Sequence, residues 1–129
     1  MRIIGHGIDL VEIARVEGLI ERHGPRALER IFTPGEAGYA GSSARLRGQR
    51  LASRFAAKEA VFKALGTGWS AGMAWTDAEV VLLPSGAPTI RLHGRAREIA
   101  GERGIAGWFV SLTHTRTHAA ASVIAFGVA

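Results

Sequence analysis

The hydrophobic period of this chain changes at Gly66-Thr67-Gly68. Ahead of that turn, apart from one short opening strand, apolar residues recur at helical spacing; beyond it they mostly alternate, as in strands. Helices gathered in one half and strands in the other predict an α+β fold, with an antiparallel sheet packed against a long helix. Leu, Ile, Val and Phe supply 33 of the 129 residues, enough for a folded core. The length suits one domain, taken as residues 1–129, and no internal repeat or linker interrupts it.

Residues 2–10 read as a strand, with Ile4, His6, Ile8 and Leu10 on one face and Ile3, Gly5, Gly7 and Asp9 on the other. Glycines inside a strand mark close approach by another backbone or a ligand. A helix over 11–23 stops at Gly24-Pro25, and a short one follows over 26–31. Thr33-Pro34, with Glu36 three residues after Thr33, has the pattern of a capping box opening a helix that ends near Gly41. The longest helical pattern runs from about 45 to 65, and Gly66 stands where a helix-terminating glycine is expected. Residues 69–76 read as loop. Residues 78–83 and 89–92 form a hairpin around Pro84–Pro88, a helix covers 93–103, and 107–113 and 118–126 pair as strands.

The absence of cysteine excludes disulfides, thiol nucleophiles, zinc ribbons and iron–sulfur clusters. The net charge of +5 comes from 14 Arg and two Lys against 11 acids. Arg suits planar anions, so the balance implies an acidic partner: a nucleotide, a nucleic acid, an acidic protein or a membrane surface. The opening MRIIGHGIDLVEI lacks a signal-peptide pattern, and no apolar run reaches membrane-spanning length. The expectation is a soluble cytoplasmic protein.

The chemistry-bearing stretch is Arg54 to Lys63. Glu59 lies four residues after Phe55 and three before Phe62, on or beside the apolar stripe of a helix. A carboxylate there must be paired, hydrogen-bonded or bound to metal. Lys58 points elsewhere around the helix, and Lys63, one turn on, is a candidate neighbour. The plainer reading is a solvated Glu59–Lys63 pair worth about 0.2–0.5 kcal/mol. Asp9 is a second acid in an apolar, glycine-thinned setting. Meeting Glu59, it would give two hard oxygen donors of the kind magnesium shares with substrate phosphates. Its plainer reading is a cap on the helix that starts near Val11. Ser111-Leu112-Thr113-His114-Thr115 ends a strand with a hydroxyl–imidazole cluster. No G-x-S-x-G elbow and no phosphate-binding P-loop is present. Arg15, Arg22, Arg26 and Arg30 lie on amphipathic helices, either as a solvated face or as a docking face for an acidic helix.

Three blocks carry a resemblance over nearly the whole chain: Gly5-His6-Gly7-Ile8-Asp9-Leu10-Val11-Glu12-Ile13 with Arg15; Arg54-Phe55-Ala56-Ala57-Lys58-Glu59-Ala60 running to Lys63-Ala64-Leu65-Gly66-Thr67-Gly68; and Ser111 to Thr115. In this order and spacing the sequence resembles the holo-acyl-carrier-protein synthase family, the small bacterial 4′-phosphopantetheinyl transferases. The resemblance implies transfer of phosphopantetheine from coenzyme A to a serine of an acidic apo acyl carrier protein, releasing adenosine 3′,5′-bisphosphate, for fatty acid biosynthesis. It implies Mg²⁺ on Asp9 and Glu59, with Lys63 at the pyrophosphate. Arg54, Gly66, Thr67, His114 and Thr115 would contact the coenzyme, and Arg15, Arg22 and Arg26 the carrier. It also implies a homotrimer with coenzyme sites between neighbours. Two residues depart from the family pattern, His6 and His118, where aliphatic and often aromatic residues are usual.

The competing reading is a basic module that binds nucleic acid. It lacks an aromatic RNA-binding signature, and its aromatics are not interleaved with arginine. No nucleic-acid or membrane partner is therefore expected. A carrier domain within a larger synthase is the remaining alternative partner.

Overall fold

The computed structural model describes residues 1–70 and 72–128. Strand β1 (Arg2–Glu12) leads into helix α1 (Ile13–Ile31), followed by α2 (Pro34–Gly41) and the long α3 (Arg47–Ala64). A 3-10 turn over Trp75–Asp77 opens the hairpin β2 (Ala78–Leu82) and β3 (Pro88–Leu92). Then come α4 (Gly94–Glu102), β4 (Gly107–His114) and β5 (His118–Gly127). Strands β1, β5 and β4 form one antiparallel sheet in that order, and β2 and β3 pair separately. The expected α+β architecture is present, with the sheet lying on α3. Among the described residues no helix is long and apolar enough to cross a membrane.

The expected elements appear with shifted ends. Val11 and Glu12 extend β1 to the doorstep of α1, where the Ile13 N–H donates to the Thr117 carbonyl at 2.9 Å. The two helices expected over 11–31 are continuous except at Gly24, whose φ of 65° and ψ of −152° kink the chain ahead of Pro25. The loop expected over 69–76 gives way to the 3-10 turn at Trp75. The capping box is formed as expected. Thr33 Oγ1 accepts from the Glu36 N–H at 3.2 Å, and Glu36 Oε1 accepts from the Thr33 N–H at 2.9 Å.

Helix α3 is buried nearly all round, and its neighbours are fitted to it by small residues. Ala56, Ala57, Ala60 and Ala64 of α3 meet β1 and the inward face of β5, which carries Ala119, Ala121, Val123 and Ala125. On β1 the fit is tighter still: a Cβ at Gly5 or Gly7 would overlap the carbonyl oxygens of Ala64 and Ala60. The glycine face of β1 therefore lies against the helix. Its apolar face is left outside, with Ile8 61% and Leu10 65% exposed.

Lys58 is wholly buried, and its ammonium meets three oxygens. It donates to Glu36 Oε1 at 2.6 Å, to the Ala78 carbonyl at 2.8 Å and to the Trp75 carbonyl at 3.2 Å. Glu36 Oε2 in turn accepts from the Val80 N–H at 2.8 Å. Every proton of the ammonium has an acceptor, the condition for burying a charge at tolerable cost. Burial still pushes the Lys58 amine below its ordinary pKa, against the pull of Glu36. This network ties α3 to the start of α2 and to β2.

Candidate active site

Asp9 and Glu59 meet where β1 crosses α3. The absence of side chains at Gly5 and Gly7 brings the strand onto the helix, and the next residue on that face is Asp9. Its side chain is only 10% exposed. Oδ1 accepts from Lys63 Nζ at 3.0 Å, and the same ammonium donates to the Ile8 carbonyl at 3.0 Å. Oδ2 is buried and has no hydrogen-bond partner. Burial and the adjoining Asp9 carboxyl raise the Glu59 carboxyl above its usual pKa, while Lys63 and Arg15 pull it back.

Two readings left open by the sequence are thereby closed. Asp9 does not cap α1: that helix begins after Glu12 with no side-chain cap. Glu59 is also not half of a simple solvated pair, because the Lys63 ammonium reaches across to Asp9 on β1.

The pair opens into a cavity of about 640 Å³, lined by Asp9, Glu59, Glu12, Arg15, Arg22 and Phe55, among others. Arg15 and Arg22 set positive charge along its α1 wall. Phe55 also lines an adjoining apolar groove of about 500 Å³, whose rim carries His23, Arg26 and Arg30 and whose floor includes Trp75. Phe55 and Trp75 stack with centroids 5.1 Å apart, and Trp69 stacks on the far side of Trp75 at 5.7 Å.

The site's donor set suits a hard divalent cation: two carboxylates lining one cavity, one with a buried oxygen lacking a partner. Among the described residues no group of three or more His, Asp or Glu converges, so a cation held here would take two carboxylates from the chain and its other ligands from water or substrate oxygen. That division matches magnesium better than an all-protein cage.

The remaining expected residues are not all brought together. Gly66 and Thr67 lie in the turn after α3, close along the chain to Lys63, whose carbonyl accepts from the Gly66 N–H at 2.9 Å. Arg54 lines a different cavity of about 410 Å³, together with Tyr39, Arg50, Gly86, Pro88 and Ser111. Its guanidinium is stacked 4.5 Å from the Tyr39 ring centroid, and burial lowers its pKa. His114 and Thr115 sit exposed at the β4–β5 turn and do not line the Asp9 cavity. His118, singled out from sequence only as a departure, does line it. Its pairing with Glu12 across β1 and β5 places it there, a strand register that one sequence does not reveal.

The fold and this two-carboxylate cleft correspond to a known class. Residues 5–121 match the family model described as the 4′-phosphopantetheinyl transferase superfamily, and the chain belongs to that superfamily. It is 50% identical over 121 residues to the holo-[acyl-carrier-protein] synthase of Gloeobacter violaceus, covering 94% of this chain and 91% of the relative. Among solved structures, the Helicobacter pylori holo-[acyl-carrier-protein] synthase in complex with coenzyme A superposes with a TM-score of 0.82 at 30% identity, over 94% of this chain and 99% of that one. The Bacillus anthracis holo-(acyl-carrier-protein) synthase, in complex with CoA (3′,5′-ADP), superposes with a TM-score of 0.78, also at 30% identity, over 99% of this chain and 100% of that one.

Proposed function

We propose that this chain transfers 4′-phosphopantetheine from coenzyme A to a serine of apo acyl carrier protein, giving holo carrier protein and adenosine 3′,5′-bisphosphate, for fatty acid biosynthesis. The observation that carries this reading is the Asp9–Glu59 pair with Lys63 at its edge, inside a transferase-family fold. The serine oxygen forms a bond to the phosphorus that carries the pantetheine arm. The bond from that phosphorus to the bridging oxygen breaks, and the hydroxyl proton is released.

Asp9 and Glu59 are the residues that would hold Mg²⁺. When bound, the ion would neutralise diphosphate oxygens and orient the leaving group. Lys63 places a cation beside the same oxygens, where charge develops on the departing phosphate. Arg15 and Arg22, on the cavity wall, and Arg26, on the adjoining apolar groove, form a basic rim suited to an acidic carrier helix.

Arg54, His114 and Thr115 are coenzyme contacts that do not line the carboxylate cavity, whereas Gly66 and Thr67 follow Lys63 at the end of α3. A homotrimer reconciles these positions, one copy supplying the carboxylates and a neighbour supplying Arg54, His114 and Thr115. The open sheet face supports such an assembly: Ile8, Leu10 and Phe109 are each more than half exposed, an unusual density of large apolar groups for a free surface. The protein acts in the cytoplasm on a protein and a nucleotide, without nucleic-acid or membrane partners.

The decisive experiment mixes the protein with coenzyme A, Mg²⁺ and apo carrier protein, and weighs the carrier. The expected result is a mass gain of one phosphopantetheine; no gain with any apo carrier, free or synthase-embedded, overturns the assignment. For the assembly, light scattering of Ile8→Arg is expected to show a smaller species than wild type. A wild-type monomer with full activity would exclude the trimer.

A further inference from the structure

The arginines around α4 are not equivalent. Arg95 Nη1 donates to Glu98 Oε2 at 3.0 Å and lies 3.8 Å from Glu102 Oε1, so both acids of the helix turn to this one guanidinium. Arg103, the residue that ends α4, is left without a carboxylate or a side-chain hydrogen-bond acceptor among the described residues.

Its side chain reaches to the turn that follows α3. A Cβ on Gly66 would stand 2.9 Å from Arg103 Nη1, 3.8 Å from Cζ and 3.9 Å from Nη2. Gly66 is thus glycine for two reasons: its φ of 78° disfavours other residues, and the guanidinium occupies the space a side chain would take. The nearby carbonyls of Val61, Phe62 and Lys63 already accept from the N–H groups of Leu65, Gly68 and Gly66. Among the described residues the guanidinium donates to none of these carbonyls. It is exposed, permanently charged, and carries five N–H donors in a planar fork. The turn it overhangs begins one helical turn after Lys63 and about two after Glu59.

We propose that Arg103 is a coenzyme-binding residue, whose guanidinium, standing over Gly66, binds a phosphate group of coenzyme A held at the Lys63 side of the cleft. The inference rests on the reading that this chain uses coenzyme A at the Asp9–Glu59 cleft. The fork geometry suits two oxygens of one phosphate, whereas Lys63 acts as a point charge. Arg103 takes no part in bond making, so its contribution belongs to binding and not to the chemical step.

The test measures the affinity of wild type, Arg103→Gln and Arg103→Lys for coenzyme A and for dephospho-coenzyme A by calorimetry, with steady-state kinetics and thermal midpoints alongside. Loss of one charge-assisted contact is expected to raise Kd and KM for coenzyme A by about tenfold or more in Arg103→Gln. The turnover number and thermal midpoint stay near wild type, and Arg103→Lys recovers part of the affinity. An equal penalty with dephospho-coenzyme A assigns the contact to the diphosphate. A penalty that vanishes with it assigns the contact to the 3′-phosphate. Unchanged Kd and KM in Arg103→Gln overturn the proposal, as does an affinity loss that only follows a loss of folded protein. A wild-type chain that binds neither compound overturns the coenzyme reading itself, and Arg103 with it.

Discussion

Lys63 Nζ stands 3.0 Å from Asp9 Oδ1 across 54 residues of sequence. It thereby holds one of the two carboxylates of the cavity from the side and leaves the second Asp9 oxygen, Oδ2, buried and without a partner. Three charged groups, two acids and a cation, thus gather at one strand–helix crossing.

Removing either acid tests this arrangement. Asp9→Asn and Glu59→Gln are each expected to lower kcat/KM by about 100-fold or more. Their fold should persist, because the change relieves repulsion between like charges. Thermal melts separate binding from catalysis: Mg²⁺ should raise the wild-type midpoint and leave both variants unmoved. A full Mg²⁺ shift in both variants would remove these residues from the metal site.

Lys58 is adjacent to Glu59 yet serves the core. Lys58→Met leaves Glu36 buried without its cation and takes a donor from the Trp75 and Ala78 carbonyls, and Glu36→Gln leaves the ammonium with a weaker partner. Breaking one side of a buried pair costs about 3–5 kcal/mol. Chemical denaturation should show a loss of that size for Lys58→Met, whereas the active-site variants lose little.

Gly7 fixes the depth at which β1 sits. In Gly7→Ala the new methyl meets the Ala60 carbonyl, so the strand must lift from α3 and carry Asp9 with it. Overpacking of this kind costs about 1–3 kcal/mol. Activity should fall further than stability explains. A Gly7→Ala protein with wild-type kcat/KM would refute the close-approach argument.

Part of the stability lost on acidification should be the contribution of Glu79. Burial alone would raise its carboxyl, but hydrogen bonds from His93 at 2.9 Å and from the Thr33 hydroxyl at 2.7 Å outweigh this, and the charges of His93 and Arg91 add to them. The net result lies below the usual carboxylate range. A carboxyl depressed in the folded state contributes stability above its unfolded pKa of about 4.3 and loses it as pH falls through the lower folded value. Glu79→Gln should therefore melt below wild type at pH 7, and the gap should close on acidification past that range. A gap independent of pH would place the effect elsewhere.

Much of this protein was legible before folding was considered. The switch of period at Gly66, the Thr33–Glu36 capping box, the Gly24-Pro25 break and the hairpin around Pro84–Pro88 are local features, set by backbone preferences acting over a few residues. The two acids could be singled out as well, because Asp9 follows two strand glycines and Glu59 falls within an apolar helical stripe. Alternation in β1 gave it two faces but not which one would be covered. That was decided by α3, whose alanine carbonyls fit only against the face without Cβ atoms, leaving Ile8 and Leu10 outside. The partners of the two lysines were likewise settled by folding: Glu36 lies 22 residues from Lys58, and Asp9 lies 54 from Lys63. Charges so far apart along a chain meet only when packing sets their elements side by side, and packing belongs to the assembled helix and sheet.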